Sequence, residues 1–528
     1  MDMALYRRNF TVYNRINGGV RGCSLRGCRP EVCSGEVKLG KRLCAQQMRT
    51  AFFAGERCLK MSIASMLFIF LFLPVSLALY YLVDHGKREY ILLAVSLMFY
   101  AIGSLRYVLL FCVAILLTIR IGRSMSSIAD MWGRKLLFAL GIFLNIGLLG
   151  YYKYMDFAII SFNGIFDKEI SLRNLALPLG ISFFTFKAVS YLADIYTGKA
   201  KLVESPIHDA LYLSFFSQIQ SGPITRYNNM EFVGNSLFSD GVFRFLIGFN
   251  KKVLLANILG KITSEVFAAP FENFSISYAW LGSVCYSLQL FFDFAGYSDM
   301  AIGVSEMFGY RCMENFNYPY MTESVAGFWR RWHISLSQWF RDYIYIPLGG
   351  SRNHGSRFRV YFNLFVVWIL TGVWHGAAWT FIVWGLGYWV MISFERFFNL
   401  PGRLEKRKMI RNLYRILVLV FINCQWILFR SENIVTGLRF IKRLFVCESN
   451  SLADIRTQFL IKDYFVFIVS AVILCFPIVS WIGKHLESKK KFHAVYETAV
   501  TAIVCVLFIC ALSFMVSGQN NPFAYANF

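Results

Sequence analysis

Charged residues are scarce in this chain. Only 16% of its 528 residues are Asp, Glu, Lys or Arg, whereas a soluble globular protein carries about 25%. Acidic residues are the scarcer kind, with 31 Asp and Glu against 54 Lys and Arg. This composition, together with repeated apolar runs of about 20 residues, excludes an ordinary soluble protein and predicts a membrane protein.

Several motifs of catalysis and metal binding are also absent from the sequence. It contains no Gly-x-Ser-x-Gly nucleophile elbow and no His-Glu-x-x-His zinc motif. Cys23, Cys28 and Cys33 are each separated by four residues, which is not the close pairing of a zinc site. The basic residues do not alternate with aromatic ones as in single-strand binders. We therefore predict no metal, no permanently bound cofactor and no nucleic-acid partner.

Positive charge is concentrated between the apolar runs. The clusters include Arg352 to Arg359, Arg403 to Arg415 and Lys489 to Lys491. Because Lys and Arg accumulate in the cytoplasmic loops of membrane proteins, the net charge of +23 is accounted for by membrane topology.

The composition changes abruptly at Met61. Residues 1–60 are polar and basic, and we interpret them as a disordered N-terminal extension or a mis-assigned gene start. A basic tail that binds anionic lipid is the alternative. Residues 61–528 form the predicted membrane domain.

Thirteen apolar segments follow Met61, and they predict an all-α, polytopic helix bundle. About eleven of them are expected to span the membrane, because 209–221 and 359–374 are short enough to be re-entrant. The segments are 61–83, 89–104, 106–121, 135–152, 176–196, 209–221, 241–260, 277–303, 359–374, 377–396, 413–429, 464–482 and 497–516. No internal repeat is visible, which disfavours a secondary transporter.

Two segments are too polar to face lipid. Residues 291–300 carry Asp293 and Asp299, which could orient a histidine or an arginine, or join two helices. Residues 322–349 are rich in Trp, Arg and Tyr, and predict a helix at the interface or folded back into the bundle. In that segment the apolar residues recur at helical spacing, which places His333 on the inward face and leaves Arg330, Arg331 and Arg341 for phosphate or carbonyl groups.

The second candidate histidine is His375, in an apolar run between Gly372 and Gly376. Glycine permits close helix packing, so we expect His375 in a cavity formed by Trp374, Trp379 and Trp384. A neutral imidazole there can accept the proton of an alcohol that attacks a thioester. A purely structural histidine, and a proton relay in a transporter, remain alternatives for both rings.

The segments around both histidines resemble the membrane-bound O-acyltransferases, in particular the branch of bacterial alginate O-acetyltransferases. The resemblance is carried by Phe328-Trp-Arg-Arg-Trp-His-Ile-Ser-Leu-Ser337, Gly372-Val-Trp-His-Gly-Ala-Ala-Trp379, Pro178-Leu-Gly-Ile-Ser-Phe-Phe-Thr-Phe186, Ser217-Gln-Ile-Gln-Ser-Gly-Pro-Ile-Thr-Arg226 and the C-terminal Pro522-Phe-Ala-Tyr-Ala-Asn-Phe528. Peptidoglycan O-acetyltransferases and teichoic acid D-alanyl transferases are related to that branch.

The resemblance implies a bundle with a central funnel and tunnel in a bacterial cytoplasmic membrane, so that His375 is reachable from both aqueous sides. It implies that His375 is the catalytic histidine and His333 a second catalytic residue. Acetyl-CoA would be the cytoplasmic donor, an extracytoplasmic SGNH-type acetyltransferase the partner, and an exported or cell-wall polysaccharide the final acceptor. D-alanyl transfer from a carrier protein is the alternative. The predicted substrate-binding residues are Trp329, Arg330, Arg331, Trp332, Trp374, Asp293 and Asp299.

Overall fold

The structure, a computed structural model, describes residues 61–271, 275–351, 356–446 and 452–517. The expectations for residues 1–60, for Arg352 and for the C-terminal aromatic segment lie outside these ranges. Within them the chain is almost entirely helical. The two short strands β1 (Glu231–Phe232) and β2 (Tyr310–Arg311) pair antiparallel.

The α-helices of the described ranges are numbered here in chain order. They are α1 Leu73–Leu82, α2 Arg88–Ser104, α3 Val108–Ser127, α4 Met131–Leu149, α5 Met155–Phe166, α6 Ile181–Tyr196, α7 Pro206–Ser214, α8 Phe216–Ile219, α9 Phe238–Asn250, α10 Asn257–Ala268, α11 Ile276–Met307, α12 Val325–Trp329, α13 Ile334–Phe340, α14 Arg357–His375, α15 Trp379–Phe397, α16 Leu400–Leu404, α17 Lys408–Arg430, α18 Ile434–Phe445, α19 Ile455–Leu474, α20 Ile478–Leu486 and α21 Lys490–Val516. Four π-helical turns interrupt this series at Phe68–Phe72, Gly150–Tyr154, Lys251–Ala256 and Arg341–Tyr345.

Helical segments long and apolar enough to cross a membrane number six in the described ranges. They are His85–Ser127, Met131–Phe166, Phe358–His375, Lys408–Arg430, Ile455–Leu474 and Lys490–Val516. Their outer faces carry exposed apolar side chains such as Leu109 and Phe143, at 74% and 73%, as lipid-facing helices do. The all-α membrane bundle is therefore confirmed, whereas the expected count of about eleven spans is not.

The capping residues explain where several helices begin. Ser324 accepts a hydrogen bond from the Gly327 amide at the start of α12, and Ser356 accepts one from Arg359 at the start of α14. Asp130 caps α4 in the same way. Each of these side chains satisfies an N–H group that the helix itself leaves without a partner.

Helix α11 packs against α9 through two pairs of glycines. A Cβ on Gly296 would lie 2.6 Å from the Gly248 carbonyl oxygen, and one on Gly303 would lie 2.5 Å from that of Gly241. Small residues allow backbones to approach this closely inside membranes. The contact fixes α11 at the centre of the bundle, and this helix carries Phe294 and Ser298 to the candidate site.

Helices α14 and α15 form an antiparallel hairpin that is also packed through glycine. A Cβ on Gly372 would lie 2.4 Å from the Phe381 carbonyl oxygen, and one on Gly385 equally close to that of Trp368. The expectation that Gly372 permits close packing is confirmed. The hairpin places His375 at the end of α14 remote from Arg359.

Three turns with basic residues beside them lie at one end of the bundle. Arg134 at the start of α4 donates to the Tyr196 carbonyl, and Arg123 pairs with Asp209. Lys153, beyond the other end of α4, donates to the Trp374 carbonyl, so the end of α14 that carries His375 lies away from these contacts and α15 returns toward them. We call this end, with the turns 128–130, 197–205 and 398–407, the basic end.

Residues 322–346 enter the bundle from the basic end and return to it. Glu323 lies 3.9 Å from both Arg411 and Arg415, and the Tyr343 hydroxyl donates to Asp194. We call this segment the re-entrant hairpin. Its tip lies at His333, between α12 and α13.

One expectation for the re-entrant hairpin is wrong. The periodicity of residues 328–340 predicted one continuous helix, but the backbone at His333 adopts the left-handed conformation, with φ 45° and ψ 54°. The Ile334 amide there donates to the Asn315 carbonyl instead of to the preceding turn. The burial of His333 follows from this tip rather than from a helix face.

Candidate active site

His375 is the last residue of α14, and its ring is enclosed by aromatic side chains. The ring centroids of Trp374, Trp384 and Phe429 lie 4.8, 4.9 and 5.2 Å from that of His375. The residue is 2% exposed. The imidazole therefore lies inside an aromatic shell, where any reaction would be shielded from bulk water.

This enclosure differs from the expectation that the His375 ring is reachable from both aqueous sides. In the described conformation the aromatic shell closes around the ring, so substrates reach it only if side chains move. The expected cavity wall is also corrected at one position, because Trp379 is 54% exposed and packs against Phe157. Phe429 of α17 takes its place.

His333 also contacts Trp374. Its ring centroid is 6.1 Å from that of Trp374 and 4.7 Å from that of Phe294, and the residue is fully buried. One indole therefore contacts both imidazoles. The structure brings together two histidines that are 42 positions apart in the sequence (375 − 333).

Asn315 holds the His333 ring from the segment that runs beside the hairpin tip. Its Oδ1 atom lies 3.0 Å from His333 Nδ1 and accepts hydrogen bonds from the Ser335 amide and hydroxyl, at 3.3 and 2.9 Å. Its Nδ2 group donates to Ser298 of α11 at 3.0 Å. The asparagine is 1% exposed, so this network is shielded from water.

The C-terminal end of α14 is held by the π-helical turn Gly150–Tyr154. The Lys153 ammonium donates to the Trp374 carbonyl at 2.6 Å and to the Ser182 hydroxyl at 3.3 Å. The Tyr154 hydroxyl donates to the Val373 carbonyl at 2.6 Å. A cation is favourable at a helix C-terminus, and these bonds fix the backbone next to His375.

Five tryptophans surround the two histidines with indole N–H groups that lack an acceptor among the described residues. They are Trp329, Trp332, Trp374, Trp384 and Trp426. An unmet buried donor costs about 1–3 kcal/mol, so five in one cluster favour a ligand or water that supplies oxygen atoms. Trp329 joins the cluster through Trp384, at 5.7 Å between ring centroids.

The predicted substrate-binding residues separate into two groups. Trp329, Trp332 and Trp374 belong to this aromatic cluster. Arg330 is exposed, and Arg331 donates to the Asn317 carbonyl at 3.2 Å. The roles of these residues in binding stay predictions.

The two aspartates of α11 lie in ion pairs between helices. Asp293 forms a buried pair with Lys252. Asp299 pairs with Arg244 at 2.9 Å and with Lys251 at 2.7 Å. These contacts join α11 to α9 and to the π-helical turn after it, which is the structural alternative named for them, and their part in substrate binding stays a prediction.

Sequence reasoning missed Lys153, Asn315 and Phe429. Lys153 gave a weak signal, as a lone cation that follows an apolar run in Gly150-Tyr-Tyr-Lys-Tyr154. Asn315 gave none, because asparagine is common in turns. Phe429 is one of 53 phenylalanines.

Comparison with known proteins adds an independent finding. The family model of MBOAT, the membrane-bound O-acyltransferase family, matches residues 204–437. The probable alginate O-acetylase of Pseudomonas aeruginosa is 37% identical over 73% of this chain and 75% of its own length. The peptidoglycan O-acetyltransferase of Helicobacter pylori is 31% identical over 88% and 96%. The teichoic acid D-alanyltransferase of Bacillus subtilis is 35% identical over 43% and 61%.

Proposed function

The chain belongs to the membrane-bound O-acyltransferase family and is an O-acyltransferase, and on that premise we propose that it transfers an acetyl group from acetyl-CoA toward an exported or cell-wall polysaccharide. The observation that carries the proposal is the meeting of two buried imidazoles at Trp374. Both histidines lie within the residues that match the family. Relatives named for alginate and peptidoglycan O-acetylation match most of the chain, which favours acetyl as the transferred group.

The chemistry needs a base at the reacting carbonyl. As the acceptor oxygen bonds to the thioester carbon, His375 takes the proton of the acceptor hydroxyl. The carbon–sulfur bond then breaks, and the sulfur of CoA receives the proton from the imidazolium. The acetyl group moves from the sulfur to the acceptor oxygen, and one proton moves from that oxygen to the sulfur. The reaction therefore needs no further reactant.

The charge distribution supports a direction for the transfer. Under the positive-inside rule the basic end faces the cytoplasm of a bacterial membrane, so acetyl-CoA approaches from the side where the re-entrant hairpin begins. His375 lies at the remote end of α14, which favours an acceptor from outside. An extracytoplasmic SGNH-type acetyltransferase is the proposed partner that passes the group to the glycan.

The indole N–H groups around the two histidines can serve as hydrogen-bond donors to the acyl donor. Carbonyl oxygens of the acyl donor are acceptors, and a thioester that enters the shell could receive hydrogen bonds from them. Because His375 is 2% exposed, entry requires that rings of the shell move. The re-entrant hairpin is the element that reaches this shell from the basic end.

Replacement of His375 by alanine tests the assignment. The variant H375A is expressed in cells that lack the native gene. We expect it to reduce alkali-labile acetate on envelope polysaccharide by about 100-fold or more, which is the usual contribution of a general base to the rate. The matched control is H85A, because His85 is exposed in the turn before α2. Immunoblots of the membrane fraction verify equal protein levels.

Acetylation retained by H375A at the level of H85A would contradict the assignment. D-alanyl transfer is the second candidate, favoured by the match to a teichoic acid D-alanyltransferase. Feeding the same cells radiolabelled D-alanine separates the two, because only D-alanyl transfer would place that label on the envelope in a His375-dependent manner.

A further inference from the structure

The protonation of the His333 ring follows from the atoms around Asn315. The Ser335 backbone N–H can only donate, so the Asn315 atom it meets at 3.3 Å is the side-chain oxygen. The same oxygen lies 3.0 Å from His333 Nδ1. An amide oxygen has no proton to give, so Nδ1 carries the hydrogen of this bond.

The protonation of the opposite ring nitrogen, Nε2, follows from that of Nδ1. A neutral imidazole has one N–H group and one lone pair, so Nε2 bears the lone pair. Nε2 is buried and has no hydrogen-bond partner among the described residues. The His333 ring contacts Trp374, which also contacts the His375 ring.

We propose that Asn315 is a positioning residue that locks His333 in the Nδ1–H tautomer, so that His333 meets the substrates as an acceptor through Nε2. This inference rests on the proposed acyl transfer. In this state the neutral ring cannot donate to the thioester carbonyl. It accepts a hydrogen bond from a donor that the substrates bring, while the proton of the attacking hydroxyl goes to His375.

Ser335 supplies the reason why Asn315 matters. Its hydroxyl lies 3.5 Å from His333 Nδ1 and donates to Asn315 in the native protein. If Asn315 is replaced by leucine, that hydroxyl loses its acceptor and turns to donate to Nδ1. The hydrogen of the ring then moves to Nε2, and the lone pair that faces the substrates is lost.

The tautomer can be read directly. Solid-state NMR of ¹⁵N-histidine-labelled full-length protein in lipid nanodiscs distinguishes the two neutral tautomers by their ring nitrogen shifts. The spectrum of H333Q is subtracted to isolate the His333 ring. We expect Nδ1–H in the wild type and in N315D, which keeps an acceptor oxygen, and Nε2–H in N315L.

Activity is measured on the same variants. N315L should lower kcat by about 100-fold with a smaller change in KM, and N315D should restore part of the rate. N317L is the matched control, because Asn317 is exposed two residues further along the same segment. It should keep wild-type activity and the native tautomer.

The outcomes separate this inference from the proposed function. An Nε2–H ring in the wild type, or an unchanged ring in N315L, overturns the role of Asn315 even if acyl transfer occurs. A wild type without acyl transfer contradicts the function while the tautomer still reports on Asn315. If N315L does not fold, the wild-type spectrum alone decides.

Discussion

At the scale of single residues, Trp374 connects both histidines to Lys153. Its ring contacts both imidazoles, and its carbonyl oxygen accepts a hydrogen bond from the Lys153 ammonium at 2.6 Å. Lys153 therefore holds the backbone next to His375, the proposed general base. This role differs from that of an anion-binding lysine.

Replacement of Lys153 by methionine tests that role. Loss of a charged hydrogen bond to a carbonyl costs about 1.5–3 kcal/mol, and the end of α14 should become less ordered. We expect K153M to lower both the thermal midpoint in detergent and the acyl transfer rate. K135M is the control, because Lys135 is exposed near the start of α4, and equal behaviour of the two variants would refute the role.

The sequence identified the two histidines but not the groups that hold them. An ionisable side chain in an apolar run is conspicuous because it is costly in a membrane. Lys153 and Trp374 are 221 positions apart, and no local pattern signals such a contact. Asn315 is likewise defined by what lies beside it in space.

At the scale of elements, the candidate site is assembled from a hairpin that folds back into the bundle and from a helix long enough to cross the membrane. The re-entrant hairpin brings His333 from the basic end, and the α14–α15 hairpin holds His375. Sequence patterns predicted that residues 322–349 fold back or lie at the interface. They could not predict the break at His333, because the bonds to Asn315 that replace the helical ones come from another segment.

The glycine contact between α9 and α11 predicts that position 296 does not tolerate a large side chain. A side chain at position 296 would lie against the Gly248 carbonyl oxygen at 2.6 Å, and overpacking costs about 1–3 kcal/mol or more. We expect G296L to lower the yield of monodisperse protein and its thermal midpoint.

Gly147 provides the comparison for this variant, because a Cβ there meets nothing within 4 Å. G147L should behave as the wild type. If G296L proved as stable as G147L, the close approach of α9 and α11 would not be a determinant of the fold.

At the scale of the whole molecule, the uneven distribution of basic residues predicts which side faces the cytoplasm. An impermeant maleimide should label K406C in inverted vesicles but not in intact spheroplasts, because the turn 398–407 belongs to the basic end. E169C, in the exposed turn after α5, should show the reverse. The unmodified protein, with its own cysteines, gives the background, and labelling of both variants from one side would contradict the orientation.

Helical class and membrane location were predictable because apolar runs of about 20 residues have the length of membrane-spanning helices. The number of spans was not, since a segment such as 209–221 reads as one apolar run but divides at Phe215 into α7 and α8. Helices α5 and α18 were not anticipated. Hydropathy shows which residues avoid water, but it does not distinguish residues that face lipid from residues that face the protein interior.

The left-handed backbone at His333 sets a small local strain against a larger gain from burial. A side chain in this conformation costs about 1 kcal/mol that glycine would not. Loss of the fully buried ring would leave an empty space in the core, and large-to-small core replacements cost about 2–5 kcal/mol. The hairpin tip therefore tolerates an unfavourable backbone because the imidazole that it carries fills the interior.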